Sequence, residues 1–502
     1  MKILSKYLLI LILLTSVIAC NSYLDVNTDP NNPTADVVGP ELTLPAAQNG
    51  SYAAKVGNQT RLGNIMANQW AGDITNFTSG NEDEYRFNFS ATFYGSVWNN
   101  QYLATDKLQS VINKNSDENV YFTAIAKILK VHNMQYVVDL YGDCPYTEAF
   151  QRGVNYQPVY DAASSVYESM YAELENATSL ISGATSVARD PGSNDVMLGG
   201  DMAMWSKFAN TLKLKLLVRA SSSSDGAVQT FVNSKWSGLA SASFLNSGEN
   251  VTINPGYSID AGKQNYFWDT YGFDATGARR QNNKFFVGSQ YFIEYLKASG
   301  DVSPVGFYDD RIEAFFTTAS GSGGGFQGVI QGADDPVDPT IGLSYIGPGL
   351  LVSGDQIGLF FTAAESLFLQ AEAALNGNLS GNAQQLFESA ISNSFNDYNL
   401  DATAYLAGIA GIGGIAWTGS ASADQEAISR QKWVALHSID GAENYIEYNR
   451  TGFPSLPLPL IAQKPNRPYR LLYPTSELSG NTSNVPAVSS SQIFSPSIFW
   501  QN

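Results

Sequence analysis

The sequence predicts a mainly α-helical protein with long irregular insertions between its helices. Three observations support this class. Several segments place apolar residues three and four positions apart, the spacing of one face of a helix. Two short helical segments are separated by a glycine-containing connection, and patterns typical of strands are short and few. The chain therefore resembles a helical scaffold more than a sheet protein.

The helical segments follow one another along the chain. An apolar stripe runs through residues 122–136, and a second one through residues 205–216 follows Asp201. Residues 160–181 and 424–438 show the same periodicity. The only local strand pattern that stands out is at residues 251–253. These segments predict the helices that build the body of the protein.

A helical hairpin is predicted near the middle of the C-terminal half. Its first helix carries the stripe Phe360 to Leu375 and ends at Gly377, a residue that readily adopts the left-handed conformation. The second helix follows after residues 376–381 and directs Ala390 and Ile391 towards the core. Tetratricopeptide-like repeats are built from such pairs of short helices. The expected fold is therefore a scaffold of tetratricopeptide-like helical hairpins with long loop insertions.

Four insertions are unusually long or polar for a compact domain. They are rich in Gly, Pro, Asn and aromatic residues and comprise residues 72–88, 254–283, 317–348 and 451–502. Loops beyond about 15 residues are uncommon in compact domains and often carry function. Ligand contacts are therefore expected in these loops.

The N-terminus has the layout of a bacterial lipoprotein signal. Lys2 and Lys6 precede an apolar run, and the small residue Ala19 stands directly before Cys20. The run is too short to cross a bilayer as a helix. We therefore predict a signal peptide at residues 1–19, lipid on Cys20, a polar tether at residues 20–35 and a binding domain at residues 36–502.

Composition excludes several classes of function. The net charge of −18 disfavours nucleic acid, because binding phosphates depends on Lys and Arg. With lipid on Cys20, Cys144 has no partner for an intramolecular disulfide. One thiol and two distant histidines also make a zinc site hard to build. No cofactor and no metal site are predicted.

Six motifs occur in order along nearly the whole mature chain. They are NTDPNNPT (27–34), VDLYGDCPYTEAF (138–150), YDDR (308–311), ESLFLQAEAALNG (365–377), QKWVALHSIDGAENYIEYNRTGFP (431–454) and PNRPYRLLYPTSELSGN (465–481). Together they resemble the SusD/RagB family of outer-membrane nutrient-binding lipoproteins of Bacteroidetes.

The resemblance implies a role as well as a fold. Such proteins are anchored by lipid to the outer membrane, and we expect this one to be exposed at the cell surface. They form a lid on a SusC-like TonB-dependent transporter, to which they deliver a captured glycan. Peptide capture by the same scaffold is an alternative reading. A glycoside hydrolase or a purely structural assembly lipoprotein is a third.

Enzymatic chemistry has little support in the sequence. His132 lies on an apolar helical stripe and His437 lies within one of the motifs, so both are expected to be structural. The glycine run at residues 320–328 lacks the Lys and Ser or Thr of a phosphate-binding loop. Asp334, Asp335 and Asp338 could hold calcium, although a solvated turn is the simpler interpretation. We expect a protein that is not an enzyme.

The loops contain residues suited to binding sugars. Aromatic rings complement the C–H face of a pyranose, and Asn, Asp and Arg pair with its hydroxyl groups. The first candidates for ligand binding lie in one segment: Trp268, Tyr271 and Phe273 as the stacking platform, with Asp269, Arg279 and Asn283 as hydrogen-bond partners. Further candidates are Asp73, Asn76, Phe77, Tyr85 and Phe326. The alternative is that these aromatic side chains pack the loops against the scaffold.

Overall fold

The described part of the computed structural model comprises residues 38–73, 81–151, 153–322, 324–333 and 340–501. Most of its regular structure is helical. In chain order the α-helices are α1 (Pro40–Ala54), α2 (Thr60–Met66), α3 (Glu82–Arg86), α4 (Gly95–Ile112), α5 (Val120–Tyr141), α6 (Ala163–Ser182), α7 (Met202–Ala220), α8 (Gly226–Leu239), α9 (Tyr266–Tyr271), α10 (Gln281–Phe285), α11 (Gln290–Leu296), α12 (Ile312–Phe315), α13 (Ala363–Leu375), α14 (Ala383–Asn396), α15 (Thr403–Ile409), α16 (Ala421–Ala435), α17 (Gly441–Thr451) and α18 (Thr475–Gly480).

Consecutive long helices pack against one another and form the scaffold. Helix α4 packs on α5, α5 on α6, and α6 on α7, while α13 packs on α14. Helix α5 is buried on nearly all sides, which explains why its sequence is apolar well beyond one stripe. These pairs confirm the predicted helical-hairpin scaffold. Within the described ranges, no helix is both long and apolar enough to span a bilayer.

Local sequence signals explain where several helices begin and end. Asp201 caps α7 by accepting hydrogen bonds from the backbone N–H groups of Ala203 and Met204. Thr362 caps α13 by accepting from the backbone N–H of Glu365. Gly377, just beyond α13, has a φ of +74°, as expected for a residue that closes a helix. The hairpin α13–α14 is therefore where the sequence places it.

Two small antiparallel sheets connect distant parts of the chain. Strand β1 (Trp70–Gly72) pairs with β3 (Phe286–Gly288), and β2 (Val251–Ile253) pairs with β4 (Gly358–Phe361). Phe360 therefore lies in a strand, and its assignment to the start of the helical stripe is wrong. The β1–β3 pair brings Asp73, one of the predicted ligand-binding residues, beside the 264–286 segment, where its backbone N–H donates to the carbonyl of Phe285 (2.7 Å).

A cluster of charged side chains lies inside the body. Its centre is Glu443, whose carboxylate contacts Lys215 (2.8 Å), Arg219 (2.6 Å) and Lys432 (2.9 Å). The cations of the cluster are Lys55, Lys215, Arg219, Lys432 and Arg450, and the anions are Asp139, Glu365, Glu372, Asp440, Glu443 and Glu447. Apart from Lys55 and Asp440, its members lie in α5, α7, α13, α16 and α17, so the cluster joins helices from both halves of the chain.

Candidate functional site

The candidate binding surface is formed by four side chains: Trp268, Phe273, Arg279 and Tyr345. We call it the aromatic–arginine face. Trp268, Phe273 and Tyr345 are half-buried, and Arg279 is exposed. The Trp268 ring packs on Phe273, Phe273 pairs with Arg279 through a backbone bridge, and the Arg279 guanidinium lies over the Tyr345 ring.

Trp268 is held by the short helix α9 and by its neighbours. The side chain of Asn265 caps α9 by accepting from the backbone N–H groups of Phe267 (2.9 Å) and Trp268 (3.2 Å). In the amide orientation that satisfies both neighbours, Gln264 accepts from Trp268 Nε1 (3.1 Å) and donates to Asp269 (3.3 Å). The Trp268 ring packs on Phe273 at a centroid distance of 5.2 Å. The indole is therefore oriented without being enclosed.

A tight turn places Arg279 beside Phe273. Asp274 Oδ1 accepts from the Thr276 hydroxyl (2.6 Å) and from the backbone N–H groups of Ala278 (3.0 Å) and Thr276 (2.9 Å). These bonds, the one from the hydroxyl first, lower the pKa of Asp274. The turn ends in an antiparallel bridge between Phe273 and Arg279. Residues directly opposite in an antiparallel pair project on the same side. The ring and the guanidinium therefore share one surface.

Tyr345 completes the surface from a different loop. The Arg279 guanidinium lies 4.3 Å from the centroid of the Tyr345 ring, and its Nε donates to Asn283 Oδ1 (2.5 Å). Tyr345 Oη donates to the buried carboxylate of Asp73 (2.8 Å). Burial and this bond raise the pKa of Tyr345 to about 12. The Arg279 guanidinium and the three half-buried rings of the face are thus held in place by contacts within the protein.

The prediction that Tyr271 forms part of the stacking platform is wrong, because helix α9 directs this side chain into the core. Tyr271 is 1% exposed, its ring packs on Trp70 and Phe286, and its hydroxyl donates to the carbonyl of Gly57 (2.8 Å). It therefore packs the loop onto the scaffold and does not form part of an open platform. The alternative interpretation of the loop aromatics holds for this residue.

The predicted polar partners are also mostly enclosed. Asn283 is 3% exposed and donates to the carbonyl of Tyr271 (2.8 Å), and Asp73 is fully buried beneath Tyr345. Asn283 holds Arg279 in place and Asp73 holds Tyr345, and neither side chain is accessible to a ligand. The prediction that these two residues form hydrogen bonds with a ligand is therefore corrected. Asp269 is half-buried and forms an ion pair with Arg280.

Two further aromatic candidates are buried away from this surface. Tyr85 is 4% exposed and accepts a hydrogen bond from the backbone N–H of Gly72 (3.0 Å), while burial raises its pKa to about 12. Phe326 is 8% exposed and belongs to the main hydrophobic core. Their prediction as ligand contacts is wrong for this structure because neither ring is accessible.

Several predicted positions lie outside the described residues. These are Cys20, Asn76, Phe77, Asp334, Asp335 and Asp338, together with the signal peptide and the tether. Their roles stay predictions. The chain runs directly from Asp73 into the segment that carries Asn76 and Phe77.

Both histidines are core residues, as the sequence indicates. His132 is 1% exposed and His437 is fully buried, and burial lowers the pKa of each well below its usual value. His132 packs on Phe360, and His437 packs among Phe292, Phe315 and Phe316. Neither imidazole reaches the aromatic–arginine face.

Sequence reasoning missed Tyr345 and Gln264. Tyr345 lies in the loop of residues 317–348, where the glycine run and Phe326 drew attention instead. Its partner Arg279 lies more than 60 positions earlier in the chain, so nothing local connects the two. Gln264 directly precedes the helix cap Asn265, and that proximity is the one signal that could have indicated its position.

Comparison with known proteins gives the family and the fold. A family model named SusD-like_2 and described as "Starch-binding associating with outer membrane" matches residues 33–474. A chitin-binding SusD homologue from Flavobacterium johnsoniae superimposes with a TM-score of 0.71 at 21% identity, covering 91% of this chain and 98% of that one. No curated protein sequence matches significantly.

Two other solved structures show the same architecture. A SusD homologue from Bacteroides fragilis gives a TM-score of 0.70 at 21% identity, covering 89% of this chain and 95% of that one. A SusD-like protein from Bacteroides thetaiotaomicron gives a TM-score of 0.69 at 21% identity, covering 88% and 94% of the respective chains. At this level of identity the superpositions establish the fold.

Proposed function

Because the chain belongs to the SusD-like family, we propose that it is a binding lipoprotein that captures an oligosaccharide or polysaccharide and delivers it to a SusC-like TonB-dependent transporter. It acts by binding and performs no chemistry on the glycan. The family is described as associating with the outer membrane, which is where the protein would work.

The observation that supports this proposal best is the make-up of the aromatic–arginine face. Trp268 and Phe273 present apolar rings at the surface, and the Arg279 guanidinium lies next to them over Tyr345. A sugar ring can stack on the indole through its C–H groups while its hydroxyls accept from the guanidinium. Since these groups are already held by Gln264, Asn283 and Asp73, little ordering is needed when a glycan binds.

We infer the partner and the location of the protein from its family and from its N-terminal sequence. The proposed anchor is lipid on Cys20, and the proposed partner is a SusC-like transporter. Co-purification of such a transporter with the membrane-bound protein would support the partnership, and its absence from a detergent-solubilised complex would count against it.

Isothermal titration of the mature chain against a panel of neutral polysaccharides tests the binding site. We expect a dissociation constant between micromolar and millimolar, because the surface is open and partly hydrated. Trp268→Ala should weaken binding about tenfold or more, since the stacking platform is lost. Trp417→Ala is the matched control, because this half-buried indole packs on Phe387 in the region of α13 and α14.

Two outcomes would contradict the proposal at different levels. Wild-type affinity in Trp268→Ala would reject the aromatic–arginine face as the site. Failure of every glycan together with tight binding of peptides would reject glycan capture and favour the peptide alternative.

A further inference from the structure

A polar cleft lies between the C-terminal end of α4, helix α5 and the loop that follows α5. We call it the α4 cleft. One wall includes Gln109 and Asn113, and the other includes Tyr146, Phe150 and Gln151. Its volume is about 770 Å³, within the range of sites that bind small ligands. The α4 cleft shares no residue with the aromatic–arginine face.

The described part of the chain begins beside this cleft. Lys114 lines the cleft, and its ammonium donates to the carbonyl of Val38, two positions before α1 starts. Residues 1–37 lie outside the described residues, but their covalent connection to Val38 is fixed. The segment that includes the predicted tether therefore joins the body at one end of the α4 cleft.

The residues directly before Val38 form a proline-containing segment. Residues 30–37 read PNNPTADV, so Pro30 and Pro33 have the PxxP spacing. Such segments favour the polyproline II conformation and dock in grooves lined by aromatic rings. This conformation has no internal hydrogen bonds. A surface that binds it must therefore offer donors to its carbonyl groups and an apolar ring to its prolines.

The α4 cleft contains both kinds of group. The exposed side chains of Asn113 and Gln151 carry amide nitrogens that can donate. Asn113 Oδ1 accepts from the Gln109 amide nitrogen (2.8 Å), which orients the Asn113 amide along α4. Deeper in the cleft, Lys130 is paired with Glu173 (3.3 Å). Neutral donors and one aromatic ring therefore make up the part of the cleft that suits an extended chain.

The aromatic ring is that of Phe150, which has an unusual backbone conformation. Its φ of +65° lies in the left-handed region, which bulky residues rarely adopt and which costs about 1 kcal/mol or more. The ring packs on Tyr102 at a centroid distance of 5.6 Å and is half-buried, so part of it stays accessible from the cleft. A glycine would suit this backbone better, so the ring is retained at an energetic cost.

The segment is long enough to occupy the cleft. Eight residues in the polyproline II conformation cover about 25 Å, whereas residues 106–113 along α4 extend about 10 Å. Because the segment is joined to Val38, its effective concentration at the cleft is of millimolar order. Even weak contacts would therefore keep it bound, which a second copy of the chain or a separate peptide could not match at micromolar concentration.

We propose that residues 30–37 lie in the α4 cleft as a polyproline II-like segment, with the prolines against Phe150 and with carbonyl groups accepting from Asn113 and Gln151. Docking would leave residues 21–29 between Cys20 and the body, and the reach of the tether would fall from about 56 Å to about 30 Å. This consequence for the membrane rests on the proposed lipid anchor. The docking itself does not.

Photo-cross-linking in the mature chain tests the docking. The chain carries Cys20→Ala, so neither lipid nor glycan is needed, and the result is independent of the proposed function. Benzoylphenylalanine replaces Asn31, between the two prolines. We expect most cross-links within the chain to residues 106–114 or 146–154, identified by mass spectrometry of the digested protein. The same probe at Asn396, an exposed position at the end of α14, is the control and should not label the cleft.

Variants test which groups hold the segment. Phe150→Gly suits the local backbone, so the circular dichroism spectrum should be unchanged while the yield of the cross-link from residue 31 to the cleft falls about fivefold or more. Pro30→Ser combined with Pro33→Ser should lower the yield similarly, because the ring contacts and the preference for an extended conformation are both lost. Phe307→Ala is the control, because this exposed ring lies on another loop and does not line the cleft.

The other outcomes would overturn the proposal. Cross-links from residue 31 to a different surface, or no cross-link to the cleft, would show that the segment does not dock there. Cross-links between two chains would assign the cleft to a second copy. A yield that Phe150→Gly and the double proline variant leave unchanged would mean that the ring and the prolines do not form the contact.

Discussion

At the scale of residues, Glu443 is the carboxylate at the centre of the buried charged cluster, where it contacts Arg219, Lys215 and Lys432. Burial alone would raise its pKa, but the charges of Arg219, Lys215 and Lys432 hold the pKa of Glu443 well below its usual range. A carboxyl group with a depressed pKa stabilises the fold above its unfolded value of about 4.3, and this stabilisation is lost as the pH falls below that value.

Replacing Glu443 with Gln should therefore destabilise the protein strongly at neutral pH. Three cations would lose their shared carboxylate, and breaking a buried pair from one side costs about 3–5 kcal/mol. Urea unfolding at pH 7 measures the loss. The difference from wild type should shrink below about pH 4, because there the Glu443 carboxyl is protonated in the unfolded wild-type chain but still ionised in the folded protein.

The matched control for this change is Glu175→Gln. Glu175 pairs with Lys235 at the surface, where both side chains are about one third to one half exposed, so its loss should cost less than about 1 kcal/mol. A midpoint of unfolding in Glu443→Gln equal to that of the control would show that the buried cluster is not a stabilising one.

Residue identity alone predicts part of the candidate site. Trp268, Phe273 and Arg279 were recognisable by their chemistry and do lie at the surface. Tyr271 has the same chemistry and is buried, because Phe267 and Tyr271 are four positions apart on α9 and share its inner side. Treating the segment as irregular hid this helical periodicity, and only the fold shows which ring faces outwards.

At the scale of elements, helices α2 and α17 approach each other through glycines. A Cβ atom at Gly63 would lie 1.9 Å from the backbone carbonyl carbon of Gly441, and one at Gly441 would lie 2.6 Å from the backbone nitrogen of Asn64. The approach is therefore between backbones, and no flexible side chain can move aside to make room.

Gly63→Ala should separate these helices and destabilise the fold. Overpacking in a dense interior costs about 1–3 kcal/mol, and here the obstacle is main chain. Gly238→Ala is the control, because nothing lies within 4 Å of a Cβ there and alanine has a higher helix propensity than glycine at this exposed position of α8. Thermal unfolding should show a lower midpoint for the first variant and an equal or higher one for the second; a neutral Gly63→Ala would contradict this helix contact.

The elements themselves were more predictable than their contacts. Periodicity and caps located α5, α7 and the α13–α14 hairpin because these signals are local. Phe360 was misassigned because its apolar neighbours fit a strand as well as a helix, and the choice depends on pairing with residues 251–253 more than 100 positions away. The close approach of Gly63 to Gly441 could not be predicted from local sequence either, because the two residues lie more than 300 positions apart in the chain.

At the scale of the whole molecule, the described body is one helical scaffold that carries the proposed binding groups on inserted segments. The β1–β3 pair attaches the 264–286 segment to the start of the chain's first long insertion, and residue 73 lies where they meet. The buried charged cluster connects the N-terminal and C-terminal helices beneath. Binding residues are often carried by loops that a rigid scaffold positions, so this arrangement suits the capture of a ligand.

The attachment of this body to a membrane is predicted to depend on one atom, the sulfur of Cys20. Each buried methylene group of an acyl chain contributes about 0.8 kcal/mol, so several chains on one cysteine suffice to hold a protein of this size. Cys20→Ala should therefore move the protein from the membrane fraction to the soluble fraction and abolish incorporation of labelled palmitate. The circular dichroism spectrum should stay the same, because the helices described here begin at Pro40.

Cys144→Ala is the control for this prediction. The Cys144 thiol is buried in the core, so the variant should remain in the membrane fraction. Membrane retention of Cys20→Ala would mean that attachment comes from something other than lipid on this cysteine.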